Sequence, residues 1–227
     1  GENENGYLPF EIDITDYLVV GQLATLVVRA YDPQDHSAQP AGKQIGWYVR
    51  SSGIWQTVYL EPRSKTYIQD FKTYTDIDTA QVKINLNIAG GEIDGIGLAV
   101  KSNAPVKQTE IEVSGNQAFI LLHLETELVQ LWDVDTPYLY DIDFNLRKGG
   151  QVIDQVSSYF GMRKVTRQLL PGTNYEYVFV NNRPTYLLGA LNQSFTPEGV
   201  YTFLDDDQIK NDVVRAKEFG FNFLHFH

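Results

Sequence analysis

The sequence predicts a mainly β fold that ends in the first βαβ portion of a truncated (β/α)8 barrel, and three observations predict it. Short runs rich in β-branched and aromatic residues recur along the chain between Gly, Pro, Asp and Ser turns. Residues 81–88 alternate cleanly, with Val82, Ile84, Leu86 and Ile88 on one face and Lys83, Asn85 and Asn87 on the other, as a strand with one buried and one wet face requires. The last forty or so residues change pattern and read as strand, helix and strand.

In chain order, residues 10–14, 23–31 and 55–60 read as strands. So few strands do not close a sandwich. Residues 1–62 are therefore expected to be part of a larger β domain that begins outside this chain. Between residues 63 and 165, seven strands are expected, at 67–74, 81–88, 95–101, 106–113, 117–124, 138–146 and 151–159, with Ala89-Gly90-Gly91 and Lys148-Gly149-Gly150 among the turns. Seven short antiparallel strands in about a hundred residues is the size of an immunoglobulin-like sandwich.

Residues 166–227 form the third unit. Runs at 177–180 and 185–188 flank Asn181, Asn182, Arg183 and Pro184. Asparagine tolerates positive φ and proline blocks further pairing, so a hairpin feeding a buried strand is expected. After a loop over 189–203, Asp205, Asp206 and Asp207 place negative charge where a helix N-terminus wants it. Ile209, Val213 and Ala216 recur on one helical face, and Gly220 suits the left-handed residue that closes a helix. Residues 221–227 read as the next strand, and the barrel pattern is cut at His227. Barrel enzymes place their chemistry at the C-terminal ends of all eight strands, so most of such a site lies elsewhere.

Composition narrows the function classes. With 43% hydrophobic residues the chain can bury real cores. A formal charge of −11 disfavours nucleic acid, which needs a clustered basic surface. There are no cysteines, which removes disulfides and thiolate chemistry but fits either redox compartment. No apolar run is long enough to span a bilayer, and the opening GENENGYLPFE lacks a signal-peptide pattern. The compartment stays open, because a chain that begins inside a domain would have lost any upstream signal.

Two stretches resemble family 2 glycoside hydrolases, the group of β-galactosidases, β-glucuronidases and β-mannosidases. YLPFEIDITDYL, then LVVRAYDP, then SSGIWQTVYLEP at 51–62, is similar to the latter part of that family's N-terminal jelly-roll, sugar-binding-type domain. LWDVDTPYLYDIDFNL with VSSYFGMRKV, over 131–165, is similar to the end of its middle immunoglobulin-like domain. NNRPTYLLGALNQSFTPEGVYT and KEFGFNFLHFH resemble the opening of its catalytic barrel, so the resemblance covers nearly the whole chain.

The resemblance implies retaining hydrolysis of a β-glycosidic bond by two glutamates about 5 Å apart. In the family both lie on later barrel strands, so neither is in this chain and the piece is expected to be inactive alone. No cofactor is implied, and the partner is an oligo- or polysaccharide, with homo-oligomerisation open. Four residues are candidate substrate contacts: Asn192 and Gln193, which match a polar patch of the family's first loop, and His225 and His227, on the same side of the second strand as Phe223. The family commonly has arginine where this chain has His225. His225-x-His227 supplies two metal donors without a third.

Each residue singled out also has a plain structural reading. Trp55 is read as a core or interface aromatic, Trp132 and Tyr138 as packing where a strand begins, and Arg163 as an interdomain contact or surface charge. The pairs Glu125/Glu127, Asp133/Asp135 and Asp141/Asp143 are read as solvated, because nothing nearby would desolvate one partner and raise its pKa. The competing functional reading is a non-catalytic β-sandwich module that binds carbohydrate or protein.

Overall fold

A computed structural model describes residues 1–32, 51–91, 95–193, 195–200 and 202–226. Its centre is built from the alternating strands. In Gln81–Gly90 (β2), the four aliphatic residues Val82, Ile84, Leu86 and Ile88 are each at most 1% exposed. Gln117–Leu124 (β5) likewise buries Ala118, Ile120, Leu122 and Leu124, each at most 5% exposed. β2 and β5 pair antiparallel, flanked by Thr66–Asp76 (β1) on one side and Val106–Ser114 (β4) on the other, to give a sheet ordered β1-β2-β5-β4.

Ile96–Ser102 (β3), Tyr140–Lys148 (β6) and Gln151–Phe160 (β7) form a second antiparallel sheet, ordered β3-β6-β7. Its inner residues Tyr140, Ile142, Phe144 and Leu146 join the first sheet's aliphatics in one core, with Phe144 against Phe71 at 4.8 Å between ring centroids. Each such side chain contributes roughly 1.5–3 kcal/mol of apolar burial, which is why the two inner faces dominate this region's stability. At a bulge in β1, the Ile68 N–H donates instead to Asp154 Oδ2 on β7 at 2.7 Å, so the edges of the two sheets are tied by a side chain. All seven strands expected here form, with ends moved by at most two residues.

The remaining strands are shorter. Val165–Leu169 (β8), Glu176–Val180 (β9) and Arg183–Pro184 (β10) make an antiparallel sheet ordered β10-β9-β8. Gly189–Asn192 (β11) pairs parallel with Phe223–Phe226 (β12), and the helix Asp206–Glu218 (α1) connects them. Asp205 caps α1 by accepting the Gln208 N–H at 2.8 Å, and Gly220 takes φ +82 just past its end, both as the sequence expects.

Two expectations are corrected. Among the described residues no strand precedes Thr66; residues 10–14, 23–31 and 55–60 carry no ladder, and the only regular element there is a 3-10 turn at Thr15–Tyr17. Composition sets a preference, but a strand exists only when a neighbour takes its backbone N–H and C=O groups. Phe10, Leu23, Val27 and Tyr59 are accordingly exposed. Side-chain contacts tie this stretch together across about fifty residues: the Trp55 indole N–H donates to the Gly6 carbonyl at 2.7 Å, and Arg63 bridges Glu11 and Glu61.

The second correction moves a strand. The expected strand at 185–188 forms instead at Gly189–Asn192. A Cβ on Gly189 would lie 2.2 Å from the Phe223 carbonyl oxygen, so the two strands close together only where the chain has no side chain. The apolar run before it is left as the approach to the sheet.

Candidate functional site

Of the candidate residues, Asn192, Gln193 and His225 lie at or directly after the ends of β11 and β12. Asn222, immediately before β12, sets this pair's register. Its backbone N–H donates to the Leu188 carbonyl, its Oδ1 accepts the Leu188 N–H, and its Nδ2 donates to the Tyr186 carbonyl, all at 2.9 Å. Leu191 then lies opposite His225, and Asn192 opposite Phe226. Paired residues share a face and neighbours alternate. His225 therefore shares Leu191's face, with Phe223, while Asn192 projects from the opposite face.

Gln193 follows directly after β11 and is exposed, Asn192 is half-buried, and His225 is exposed. His227 lies outside the described residues. The loop after β11 folds around Thr196, 7% exposed, whose hydroxyl accepts the Gly199 N–H at 2.9 Å and donates to the Thr202 carbonyl. These contacts give the strand ends a polar rim with one histidine and no carboxylate on either strand.

Four carboxylates elsewhere are tuned, all in one direction. Asp13, Asp76, Asp78 and Asp133 are all held below the usual carboxylate range by hydrogen bonds they accept. That is the wrong sense for a general acid, which needs a raised pKa. Asp133 accepts the Asp135 and Thr136 N–H groups and the Thr136 hydroxyl, so it shapes a loop. Asp141 and Asp143 line a shallow pocket with Lys101, Ser102 and Asn103, and Asp143 takes the Ser157 hydroxyl at 2.6 Å. Among the described residues no three His, Asp or Glu side chains come together as a metal site. No helix there is long and apolar enough to cross a membrane.

A second polar cluster was not visible in the sequence. The Arg163 guanidinium lies over the Trp132 ring at 4.4 Å, and a Cβ on Gly161 would come within 3.3 Å of that ring. Asp78, in the β1–β2 turn, pairs with Lys164 and accepts from the Asn182 side chain at 2.8 Å. These contacts, Lys164 first, depress the Asp78 pKa. Because the folded pKa is lowered, the contribution is complete above the unfolded carboxylate value and is lost as pH falls through the folded one. The sequence marks Asn181 and Asn182 only as turn residues, since spacing along a chain says nothing of what a turn's side chains meet.

Residues 66–163 match the model of glycosyl hydrolases family 2. Over 99% of its length the chain is 25% identical to a β-galactosidase of Thermoanaerobacter pseudethanolicus, and over 99% it is 24% identical to a putative β-glucuronidase of Formosa agariphila. It spans only 30% and 27% of those two proteins. The crystal structure of Ruminococcus gnavus β-glucuronidase superposes on 71% of the chain with a TM-score of 0.53 at 19% identity, covering 25% of that enzyme, a likeness of fold. The family match falls on the two-sheet core, and the alignments to a β-galactosidase and a putative β-glucuronidase extend through both flanks, a pattern consistent with a fragment of a family 2 glycosyl hydrolase.

Proposed function

We propose that the chain is part of a retaining β-glycoside hydrolase, with both catalytic glutamates beyond His227, and that it does not turn over substrate alone. Residues 1–62 are the latter part of a jelly-roll domain, 63–165 an immunoglobulin-like sandwich, and 166–227 the opening of a (β/α)8 catalytic barrel. The observation that carries this reading is the parallel β11-α1-β12 unit, the repeat from which such barrels are made, following a sandwich that matches the family. The strand order β1-β2-β5-β4 against β3-β6-β7 supports the middle assignment, being the ABED and CFG arrangement of constant-type immunoglobulin domains.

In this reading the hydroxyl partners of the sugar site are Gln193, one of Asn192 and His225, and, on the sequence pattern alone, His227. The opposite facings of Asn192 and His225 leave at most one of that pair pointing into the barrel mouth. Two strands of eight do not preorganise a pocket, and preorganisation is what positions reacting groups. Aryl β-galactosides and β-glucuronides incubated with the 227-residue chain are expected to hydrolyse at the buffer rate. Turnover of an intact enzyme's order would overturn the proposal.

The same reading bears on association. Val20, Leu23, Val27 and Tyr17 are more than four-fifths exposed, and Ile209 and Val213 on α1 are nearly half exposed. Apolar surface of this extent favours contact with another protein surface. Light scattering at rising concentration is expected to show self-association, and a clean monomer throughout would retire the idea.

A further inference from the structure

The hairpin between β9 and β10 has two turn residues, Asn181 at φ +49 and Asn182 at φ +63. Positive φ at both positions is what a two-residue hairpin demands, and glycine or asparagine meets it. A turn of this kind needs nothing from its side chains. Here the side chains are engaged, and with residues far along the chain.

Asn181 Oδ1 accepts the Lys164 N–H at 3.0 Å, and its Nδ2 donates to the Trp132 carbonyl at 2.7 Å. Its backbone N–H donates to the Lys164 carbonyl at 2.8 Å. Asn182 Nδ2 donates to Asp78 Oδ1 at 2.8 Å, while Asp78 Oδ2 takes the Lys164 ammonium. The partners come from three separate places at one end of the two-sheet core: the β1–β2 turn, the β5–β6 connection and the link after β7. The same end is braced further. The Thr75 hydroxyl donates to the Arg163 carbonyl at 3.0 Å, and the Lys217 ammonium of α1 reaches the Val134 carbonyl at 3.3 Å.

We propose that Asn181 and Asn182 are a clasp: their side chains fasten the hairpin, and with it the start of the β11-α1-β12 unit, to the end of the sandwich. β11 begins five residues after β10 ends, so the clasp fixes the direction from which that strand departs. Asn181 and Asn182 are positioning residues on this account, and the inference stands whether or not the chain comes from a glycosidase.

Glycine separates the two roles of these asparagines, because it keeps positive φ without strain and deletes the side chain. The full chain and its Asn181→Gly/Asn182→Gly variant are digested with limiting trypsin, and the cuts after Arg163 and Lys164 are followed by mass spectrometry. The variant is expected to be cut at these two bonds at least about ten-fold faster, with its thermal midpoint and its cutting elsewhere unchanged. An unchanged rate would make the asparagines turn formers and nothing more. A rise spread over every Lys and Arg bond would mean general loosening, and also overturns the clasp.

Asp78→Ala attacks the contact from the sandwich side and is expected to expose the same two bonds. Combined with Asn182→Gly it is expected to cut no faster than Asp78→Ala alone, because both remove one hydrogen bond. Multiplying effects would show that the two residues act separately, against the proposal.

Discussion

Phe144→Ala is expected to cost about 3–5 kcal/mol, a large part of a small domain's whole stability. Phe144 is fully buried on the central strand of the three-stranded sheet, and its ring packs on Phe71 of the opposite sheet, centroids 4.8 Å apart and planes at 50°. Truncation removes the ring's transfer energy and leaves a cavity between two sheets whose hydrogen-bonded ladders resist collapse. The check is urea unfolding followed by circular dichroism. A cycle with Phe71→Ala should return a coupling of about 0.5–1.5 kcal/mol for the ring pair. A loss below about 1 kcal/mol for Phe144→Ala would mean that the two sheets do not share the core described.

Gly90→Ala should be nearly as damaging, for a backbone reason. Gly90 has φ +109, and an added Cβ would fall 1.8 Å from the Lys65 carbonyl oxygen, a position no rotamer change relieves. Thr66, its partner across the ladder, begins β1, so relief requires the β1–β2 pairing to open at that end. The strained conformation alone costs roughly 1–3 kcal/mol, and the steric conflict adds to it. Gly149→Ala is the control. It also has positive φ, +57, but open space around it, so only the left-handed penalty of about 1 kcal/mol is expected. Equal losses for the two alanines, measured by urea midpoint, would refute the proposed clash.

The physics of these two sites also explains what could be read from residue order. Phe144 belongs to an alternating run, Tyr140, Ile142, Phe144, Leu146, that marks a one-sided strand without reference to anything distant. The same holds for β2 and β5 and for the helix, whose Asp205 cap and Gly220 terminator act within one turn of the chain. Gly90 is different. Its turn is legible, but the Lys65 carbonyl that forbids a side chain there is supplied by the residue just before the paired strand β1.

The candidate site shows the same division. His225 and Asn192 were both legible as polar residues at the ends of neighbouring strands, yet their opposite facings follow from the Leu191–His225 register, which Asn222 enforces through three backbone contacts. The strand expected at 185–188 moved to Gly189–Asn192 because that is where Phe223 can approach.

Local order by itself determined the seven strands of the sandwich, the limits of the helix and the hairpin turn, since alternation, caps and positive-φ residues act over a few bonds. Tertiary structure alone decided that β3 leaves β2 to join β6, that residues 10–14, 23–31 and 55–60 form no strands, and that two turn asparagines meet Trp132, Lys164 and Asp78. Those outcomes depend on which hydrogen-bonding group or apolar face arrives from elsewhere in the chain, and a periodic pattern does not encode its partner.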